Sequence, residues 1–270
     1  MSAQRWADLK ARSLSAVVMI AVGAVAIWAG GGLFTALVMA LTGAMLWELN
    51  AINGPGRAGL GLMLAASGAA ALLICLMAGP GLAVALLFLP ALGLGVLARR
   101  DRGLTVAWAA AAMIAGYGLV LLRHGLGDGA GGIPAILWLV LVVVVSDLMG
   151  YFAGRMLGGA KFWPAISPKK TWSGTVAGWI GAALVGLGFV LAGQAGWGLV
   201  ALSPLVGFAG QMGDICESWL KRRAGVKDSS ALIPGHGGVL DRFDAMTGAV
   251  VVLMLLGLLV DLPLPIAAAG

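Results

Sequence analysis

Long apolar runs alternate with short polar segments along most of the chain. Nine such runs occupy residues 14–29, 33–49, 58–78, 82–98, 104–122, 133–153, 174–192, 196–220 and 245–262. A helix that crosses a bilayer needs about 20 predominantly apolar residues, and the longer runs meet that requirement. The first, second and fourth runs are shorter, which leaves open that they merge with their neighbours. The pattern predicts an all-α polytopic membrane protein with about nine transmembrane helices.

Composition agrees with this pattern, and the placement of charge adds an orientation. Hydrophobic residues make up 61% of the 270 residues and charged residues 10%, whereas a soluble domain is about 25% charged. With nine spans and a cytoplasmic amino terminus, all of the 17 Lys and Arg residues except Arg123 fall on the cytoplasmic side. The net charge of +6 is explained by this topology, so we expect membrane lipids and no nucleic acid as partners.

The two halves of the chain differ in their polar content. Residues 1–130 are plain spans joined by short turns, and we expect them to provide packing, lipid contacts or a dimer interface. Glu48, at the end of a span, is interpreted there as an interfacial cap. Residues 131–270 carry polar groups within or at the cytoplasmic ends of the spans, which predicts a catalytic region with a cytoplasmic-side site. The 44 glycines are expected on closely packed helix faces.

Asp147 is an ionisable residue inside an apolar run, in the segment VSDLMGYFAGRMLGG. Tyr151 and Arg155 follow at spacings of four and eight, so the three side chains share one helix face. A charged group within a span is costly, and it is a functional candidate by default. The alternative is that Asp147 only pairs with a basic residue on a neighbouring helix.

The segment SPKKTWSG, residues 167–174, comes directly before a span. Its two adjacent lysines, with hydroxyl residues and a glycine beside them, would suit phosphate oxygens. Basic residues next to a span are also ordinary markers of the cytoplasmic side. The segment by itself does not decide between these two interpretations.

The segment GDICESWLKRR, residues 213–223, places acidic and basic groups on one helix. Five of its residues fall at offsets of zero, three, four, seven and eight and therefore share a face: Asp214, Glu217, Ser218, Lys221 and Arg222. At a rise of 1.5 Å per residue, Asp214 lies roughly 10 Å below Lys221. An acidic group is then within reach of metal ions and lipid head groups, with cations above it.

The stretch KRRAGVKDSSALIPGHGGVLDRFDAMTG concentrates charge between the last two runs. Lys227 and Asp228 precede a turn, and PGHGG supplies backbone that can approach a ligand closely. DRFD then places Asp241 and Asp244 one helical turn apart. Carboxylates with few other ligand types suit a hard ion such as Mg²⁺, whereas a single histidine, His236, is a poor basis for a zinc site.

Together these segments supply what phosphoryl or nucleotidyl transfer requires. Acidic groups able to hold a divalent cation stand beside cations able to neutralise phosphates, and such catalysis is mainly positioning and charge stabilisation. The chain has no GxxxxGK[ST] motif, which excludes a P-loop ATPase. A rival of another class is an ion or lipid transporter in which Asp147 and Asp214 form an ion path. The clustering of polar residues at one side of the membrane argues against it.

The segment SWLKRRAGVKDSSALIPGHGGVLDRFD resembles the signature of the CDP-diacylglycerol synthases, also called phosphatidate cytidylyltransferases. The matching positions are Ser218, Lys221, Arg222, Lys227, Asp228, Pro234, His236, Gly237, Gly238, Asp241, Arg242 and Asp244. Upstream, SDLMGYFAGRMLGG resembles the family's ADxxAYFxGRxFG, and SPKKTWSG resembles its SPKKTxEG. The resemblance covers roughly residue 147 to the end. Ser173 stands where the family usually has Glu, and Leu148, Met149 and Gly150 replace its usual small residues and alanine.

The resemblance implies a reaction, a location and a set of site residues. The reaction is condensation of CTP with phosphatidic acid to CDP-diacylglycerol and pyrophosphate, dependent on Mg²⁺, with a second cation left open. The implied protein is a multi-pass homodimer of the cell inner membrane whose active site faces the cytoplasm. The implied metal ligands are Asp214, Asp241, Asp244 and Asp147. The implied catalytic residues are Asp214, Asp241, Lys221, Arg222, Lys227 and His236. The implied substrate contacts are Tyr151, Ser167, Lys169, Lys170, Ser218, Asp228, Gly237, Gly238 and Arg242.

An alternative in the same broad chemistry is a CTP-dependent polyprenol or phytol kinase, which resembles these synthases. Such an enzyme would transfer the γ-phosphoryl group of CTP to a lipid alcohol. The unbroken signature favours the synthase.

Overall fold

The structure is a computed structural model that describes residues 3–54, 58–78, 81–99, 101–125 and 132–265. Arg57 and Arg100, two of the basic residues behind the predicted orientation, lie outside these ranges. The boundary expected between residues 130 and 131 lies outside them too.

The described residues form ten helices and one short hairpin. The helices are α1 (Ala3–Ala29), α2 (Gly31–Asn53), α3 (Ala58–Ala78), α4 (Leu82–Leu86), α5 (Phe88–Leu97), α6 (Arg102–His124), α7 (Ile133–Leu157), α8 (Trp172–Leu191), α9 (Gly198–Ala224) and α10 (Leu240–Gly257). The strands are β1 (Lys161–Trp163) and β2 (Ser167–Thr171). Each predicted apolar run lies mainly on helix, so the prediction of an all-α polytopic protein is confirmed.

Seven helices in the described ranges are long and apolar enough to cross a membrane: α1, α2, α3, α6, α7, α8 and α9. The fourth run is divided between α4 and α5, since Pro90 has no N–H to donate to the carbonyl of Leu86. The ninth run lies on α10, whose first turn carries charged residues. Many outward faces are apolar, as the exposed Ile20, Trp28 and Leu62 illustrate. Such faces fit contact with lipid chains.

The segment after α7 forms a hairpin that the sequence pattern did not predict. β1 and β2 pair antiparallel, with Lys161 opposite Thr171 and Trp163 opposite Ser167. Pro168 lies in β2 although proline has no N–H to donate to a neighbouring strand. Proline is tolerated in edge strands, and both strands of a two-stranded hairpin are edge strands. The hairpin ends where Thr171 caps α8 by accepting a hydrogen bond from the Gly174 N–H at 3.2 Å.

The chain forms two compact units. Unit 1 comprises Met1–Tyr117 and Leu220–Phe243, and unit 2 comprises Gly118–Trp219 and Asp244–Gly270. Helices α6, α9 and α10 therefore contribute residues to both units.

In unit 1, α2 packs along α3 around a core of large aliphatic side chains. Its most buried members include Leu46, Leu49, Leu72, Leu94, Met113 and Leu240. A Cβ on Gly68 would overlap Leu46, and a Cβ on Gly61 would lie 2.7 Å from Cδ1 of Trp47. These contacts confirm that glycines of this helix form a packing face.

In unit 2, α7 packs along α8 through small residues. A Cβ on Gly174 would lie 2.5 Å from the carbonyl oxygen of Gly150, and one on Gly178 would lie 2.8 Å from Oγ of Ser146. Gly174 and Gly178 are four residues apart and share a helix face. The two backbones approach closely there, and this approach brings the polar face of α7 next to β2.

Candidate functional site

A cavity of about 510 Å³ in unit 2 collects residues from three of the sequence segments. Its walls come from α7, from the hairpin and the start of α8, and from α9. The lining residues are Ser146, Asp147, Gly150, Tyr151, Gly154, Arg155, Lys169, Lys170, Thr171, Gly174, Thr175, Gln211 and Asp214. The structure therefore brings five predicted site residues to one cavity: Asp147, Tyr151, Lys169, Lys170 and Asp214.

Lys170 is held at the Asp214 side of this cavity. Its Nζ lies 2.7 Å from Oδ2 of Asp214 and donates to the carbonyl oxygen of Gln211 at 3.1 Å. Both side chains keep some exposure, 25% for Lys170 and 37% for Asp214, so the pair remains open to a ligand. A lysine in this place can shield the charge between a carboxylate and an incoming phosphate.

Asp147 lines the same cavity without joining that pair. Among the residues that the structure describes, no cation lies within ion-pair distance of its carboxylate. The two charged groups that act on it electrostatically are those of the neighbouring pair, Lys170 and Asp214. Asp147 therefore faces the charge of Lys170 without a direct ion pair to it. On the same helix face, Nη1 of Arg155 donates to Oη of Tyr151 at 2.8 Å, which places a guanidinium at the cavity wall.

Ser173, which replaces the family's usual Glu, is turned toward backbone. Its Oγ donates to the carbonyl oxygen of Gly158 at 2.5 Å and lies 3.0 Å from Oγ1 of Thr171. Neither Ser173 nor the predicted substrate contact Ser167 lines this cavity. Ser173 thus links the residue after α7 to the start of α8.

A group of three carboxylates lies in unit 2, where α9 and α10 meet. Oxygens of Asp214, Glu217 and Asp244 all lie within 4.8 Å of one another. The helices approach closely beside them, because a Cβ on Gly248 would lie 2.8 Å from Cα of Gly213. Asp214 belongs both to this group and to the cavity wall.

The carboxylate group fits a hard divalent cation. All of its donors are oxygens, the ligand type that Mg²⁺ prefers, and ligand oxygens around one Mg²⁺ lie at most about 4.2 Å apart. A small movement of the side chains would satisfy that limit. Ser218, another predicted contact, is one turn further along α9, and its Oγ is 3.5 Å from Oδ1 of Asp214.

Glu217 was not among the sequence-predicted metal ligands. Its side chain is fully buried, one turn along α9 from Asp214. The spacing of three placed it on the same face, and that signal was available in the sequence. What the sequence did not supply was the position of Asp244 relative to both.

In unit 1, Asp241 is the acceptor of a dense set of hydrogen bonds. Lys221 donates through Nζ at 2.5 Å, and Gly238 donates its N–H at 2.7 Å. Ser229 donates both its N–H and its hydroxyl, each at 2.9 Å. The Asp241 side chain is only 3% exposed, so the Lys221 charge faces it in a nearly dry setting. These bonds hold together both ends of the loop between α9 and α10.

Glu48 holds the same loop from α2. Its fully buried carboxylate accepts hydrogen bonds from the hydroxyls of Ser229 at 3.2 Å and Ser230 at 2.6 Å. It also accepts from the N–H groups of Val239 at 2.9 Å and Leu240 at 2.7 Å, where α10 begins. The interpretation of Glu48 as an interfacial cap of its own helix was wrong, because its partners lie about 190 residues away in sequence.

A second cavity, of about 440 Å³, lies in unit 1 around the PGHGG turn. It is lined by Arg12, Lys227, Asp228, Ser230, Ala231, Ile233, Pro234, Gly235, His236, Gly237 and Arg242. Five predicted site residues meet here: Lys227, Asp228, His236, Gly237 and Arg242. Arg222 is exposed near the end of α9 and lines neither of the two cavities.

The sequence of this chain is similar to known proteins of one family. A family model described as the cytidylyltransferase family matches residues 10–260. The chain belongs to the cytidylyltransferase family. A phosphatidate cytidylyltransferase of Brucella abortus (strain 9-941) is 35% identical over 253 residues, covering 93% of each chain. The resemblance inferred from the motifs is thereby confirmed, and it extends to the amino-terminal half that the motifs did not cover.

Shorter matches reach higher identity. A phosphatidate cytidylyltransferase of Haemophilus influenzae is 40% identical over 144 residues, 51% of this chain and 50% of the relative. One of Helicobacter pylori (strain J99) is 48% identical over 118 residues, 43% of this chain and 44% of the relative. These two matches cover about half of this chain or less.

Proposed function

We propose that this chain is a phosphatidate cytidylyltransferase, which converts CTP and phosphatidate to CDP-diacylglycerol and pyrophosphate. The chain belongs to the cytidylyltransferase family, and the observation that carries the proposal is the position of Asp214 in its structure. Its carboxylate borders a cavity with two lysines and also belongs to the carboxylate group that fits a divalent cation. Relatives along 93% of the chain carry the name of this enzyme.

The bond changes are those of a nucleotidyl transfer. A phosphate oxygen of phosphatidate forms a bond to the α-phosphorus of CTP. The bond between that phosphorus and the oxygen bridging to the β-phosphate breaks, and pyrophosphate leaves with the electron pair. A phosphate monoester is already an adequate nucleophile, so no covalent intermediate with the protein is needed.

Residues of the unit 2 cavity would position these groups. Lys169, Lys170 and Arg155 would contact phosphate oxygens and offset their charge. Asp214, Glu217 and Asp244 would hold Mg²⁺, which when bound stabilises charge on phosphate oxygens. The assignment of Asp241 and Asp147 as further metal ligands, and the presence of a second cation, stay predictions.

The proposal also includes the membrane, the oligomeric state and the side of the membrane on which the reaction takes place. The enzyme lies in the inner membrane as a homodimer, with its active site at the cytoplasmic face. The distribution of Lys and Arg supports this orientation. CTP is a cytosolic molecule and the phosphatidate head group lies at the interface, so both substrates would reach such a site.

The direct test uses the purified protein with α-labelled CTP, phosphatidate vesicles and Mg²⁺. We expect label in a lipid and release of pyrophosphate, with activity lost on chelation and restored by Mg²⁺. Asp214→Asn and Asp244→Asn should each lower the rate at least about 100-fold, because each removes a metal-binding charge. The matched control is Asp261→Asn, an exposed carboxylate after α10, which should retain the wild-type rate.

Other products would point to the rival functions. Release of CDP together with a phosphorylated lipid alcohol would indicate a polyprenol or phytol kinase. No turnover of CTP, together with ion or lipid flux in proteoliposomes, would indicate a transporter. Full activity in both the Asp214 and the Asp244 variants would overturn the assignment of the carboxylate group.

A further inference from the structure

The second cavity carries an excess of positive charge. Its lining includes the cations Arg12, Lys227 and Arg242 and one carboxylate, Asp228, so three positive charges face one negative charge and the formal excess is two. Within the described part of the chain, none of the three cations has a carboxylate within 4 Å. A partly enclosed cavity of this charge favours an anion.

One of these cations comes from outside the recognised signature. Arg12 lies on α1, more than 200 residues before the loop that forms the rest of the cavity. Neither the motifs nor the resemblance singled it out. The structure shows why Arg12 nevertheless lines the second cavity.

The reason is close packing between α1 and the PGHGG turn. Gly235 has a φ of +75°, and a Cβ there would lie 2.6 Å from Cγ and 3.4 Å from Cα of Arg12. Only glycine tolerates both the backbone conformation and this approach. Ser15, one turn along α1, lies 2.9 Å from the carbonyl oxygen of Pro234 and 2.7 Å from Nδ1 of His236. Two residues of α1 are thus built into the turn.

These contacts also engage one of the two His236 nitrogens, Nδ1. The Ser15 hydroxyl has one proton, and carbonyl oxygens of Pro234 and Arg12 are among the other acceptors within its reach. If the hydroxyl donates to either carbonyl, Nδ1 of His236 must donate to Oγ of Ser15. The ring is then fixed through Nδ1, and Nε2 is the nitrogen left to bond a ligand.

We propose that α1 completes an anion site in the second cavity, in which Arg12 binds a phosphate group of one substrate together with Lys227 and Arg242. A guanidinium can bond two phosphate oxygens at once, which a lysine cannot do in the same geometry. The volume of about 440 Å³ exceeds that of a single phosphate and suits a polyphosphate or a phosphorylated head group. This inference rests on the proposed function and adds to it a substrate contact from the amino-terminal helix.

Steady-state kinetics test the proposal with two variants and a control. Arg12→Ala should raise the KM of one substrate about 10- to 100-fold, the loss expected for one charged hydrogen-bonded contact. Arg12→Lys should recover part of that loss, since it restores the charge without the bidentate geometry. Lys10→Ala removes a charge from an exposed position of the same helix, two residues away and so on another face, and should change neither KM.

Equilibrium binding separates the two sources of phosphate and does not depend on turnover. Wild type, Arg12→Ala and Lys10→Ala are titrated with CTP, and separately with phosphatidylcholine vesicles containing either phosphatidate or diacylglycerol. Weaker CTP binding by Arg12→Ala alone supports a nucleotide phosphate, and weaker binding to phosphatidate vesicles alone supports the lipid phosphate. Equal behaviour of Arg12→Ala and Lys10→Ala in both titrations overturns the proposal.

Failure of this inference and failure of the proposed function would look different. If wild type makes no CDP-diacylglycerol but Arg12→Ala still loses binding of CTP or phosphatidate, the anion site stands and the reaction is wrong. If wild type is active and Arg12→Ala matches it in kinetics and binding, the reaction stands and the anion site is wrong. A Ser15→Ala variant checks packing, since it should lower the thermal unfolding midpoint without removing the Arg12 charge.

Discussion

Glu48 carries a formal charge inside the apolar part of unit 1, with no exposed surface. Such burial is costly unless the charge is fully hydrogen-bonded. It accepts from the Ser230 hydroxyl and from two N–H groups, and it shares the Ser229 hydroxyl with Asp241. All of these donors belong to the loop that carries the family signature. A Cβ on Gly238 would overlap the carboxylate of Glu48 and the hydroxyl of Ser229, so glycine is required there. Glu48 therefore positions the loop rather than acting on substrate.

We expect Glu48→Gln to destabilise the protein by about 2 kcal/mol or more. The amide keeps the shape but replaces one acceptor oxygen with an NH₂ group that faces donors, and lost hydrogen bonds to a charged group are worth roughly 1.5–3 kcal/mol each. The measurement is the free energy of unfolding in detergent micelles. Asp261→Asn makes the same chemical change at an exposed position and should leave stability unchanged. If Glu48→Gln has the same free energy of unfolding as wild type, the proposed role of Glu48 in positioning the loop is wrong.

At the scale of elements, glycines set the distances between the helices that carry the unit 2 site. Gly150 and Gly174 bring α7 against α8, and Gly213 and Gly248 bring α9 against α10. Neither contact leaves room for a methyl group. The carboxylates and lysines of the unit 2 site therefore lie next to places where helix backbones pack directly against each other.

Gly174→Ala tests this packing. The added Cβ would lie 2.5 Å from the carbonyl oxygen of Gly150, so α7 and α8 must separate, at a cost of about 1–3 kcal/mol. We expect a lower unfolding midpoint and weaker CTP-dependent activity, because β2 and its lysines are joined directly to the start of α8 and would move with it. Gly188→Ala, on the same helix, meets nothing within 4 Å and serves as the control. If the two variants unfold alike, the close approach of α7 and α8 does not contribute to stability.

At the scale of the whole molecule, membrane orientation follows from the number of spans. The amino terminus is predicted to be cytoplasmic, and the eight crossings predicted before the loop between α9 and α10 place that loop on the same side. Seven helices of the described ranges qualify as spans on length and composition alone. The count of nine then depends on α4 with α5 and on α10, the two places where a proline and charged residues interrupt the pattern.

Reporter fusions decide this count. We expect alkaline phosphatase to be inactive when fused after residue 227 and active when fused after residue 125 or residue 265. The reason is that an odd number of crossings precedes the two latter positions, and the enzyme folds only outside the cytoplasm. If α4 and α5 together fail to cross, one crossing is lost and the fusion after residue 227 becomes active instead.

The sequence alone determined the class of protein and most of its helices. Apolar runs of membrane length permit little else, since backbone groups in lipid must be bonded within a helix. It also supplied the family, because the spacing of the signature from Ser218 to Asp244 is local information. Both predictions are confirmed: the all-α membrane fold and membership of the cytidylyltransferase family.

Only the tertiary structure decided which charged groups work together. Asp214 and Asp244 share a carboxylate group with Glu217, whereas Asp241 accepts hydrogen bonds from Lys221, Ser229 and Gly238. Glu48 and Arg12 reach the signature loop from far earlier in the chain. Helical periodicity reports which residues share a face, but it carries no information on which other helix that face meets. Side-chain partners about 190 residues apart are set by packing, and packing exists only in the folded molecule.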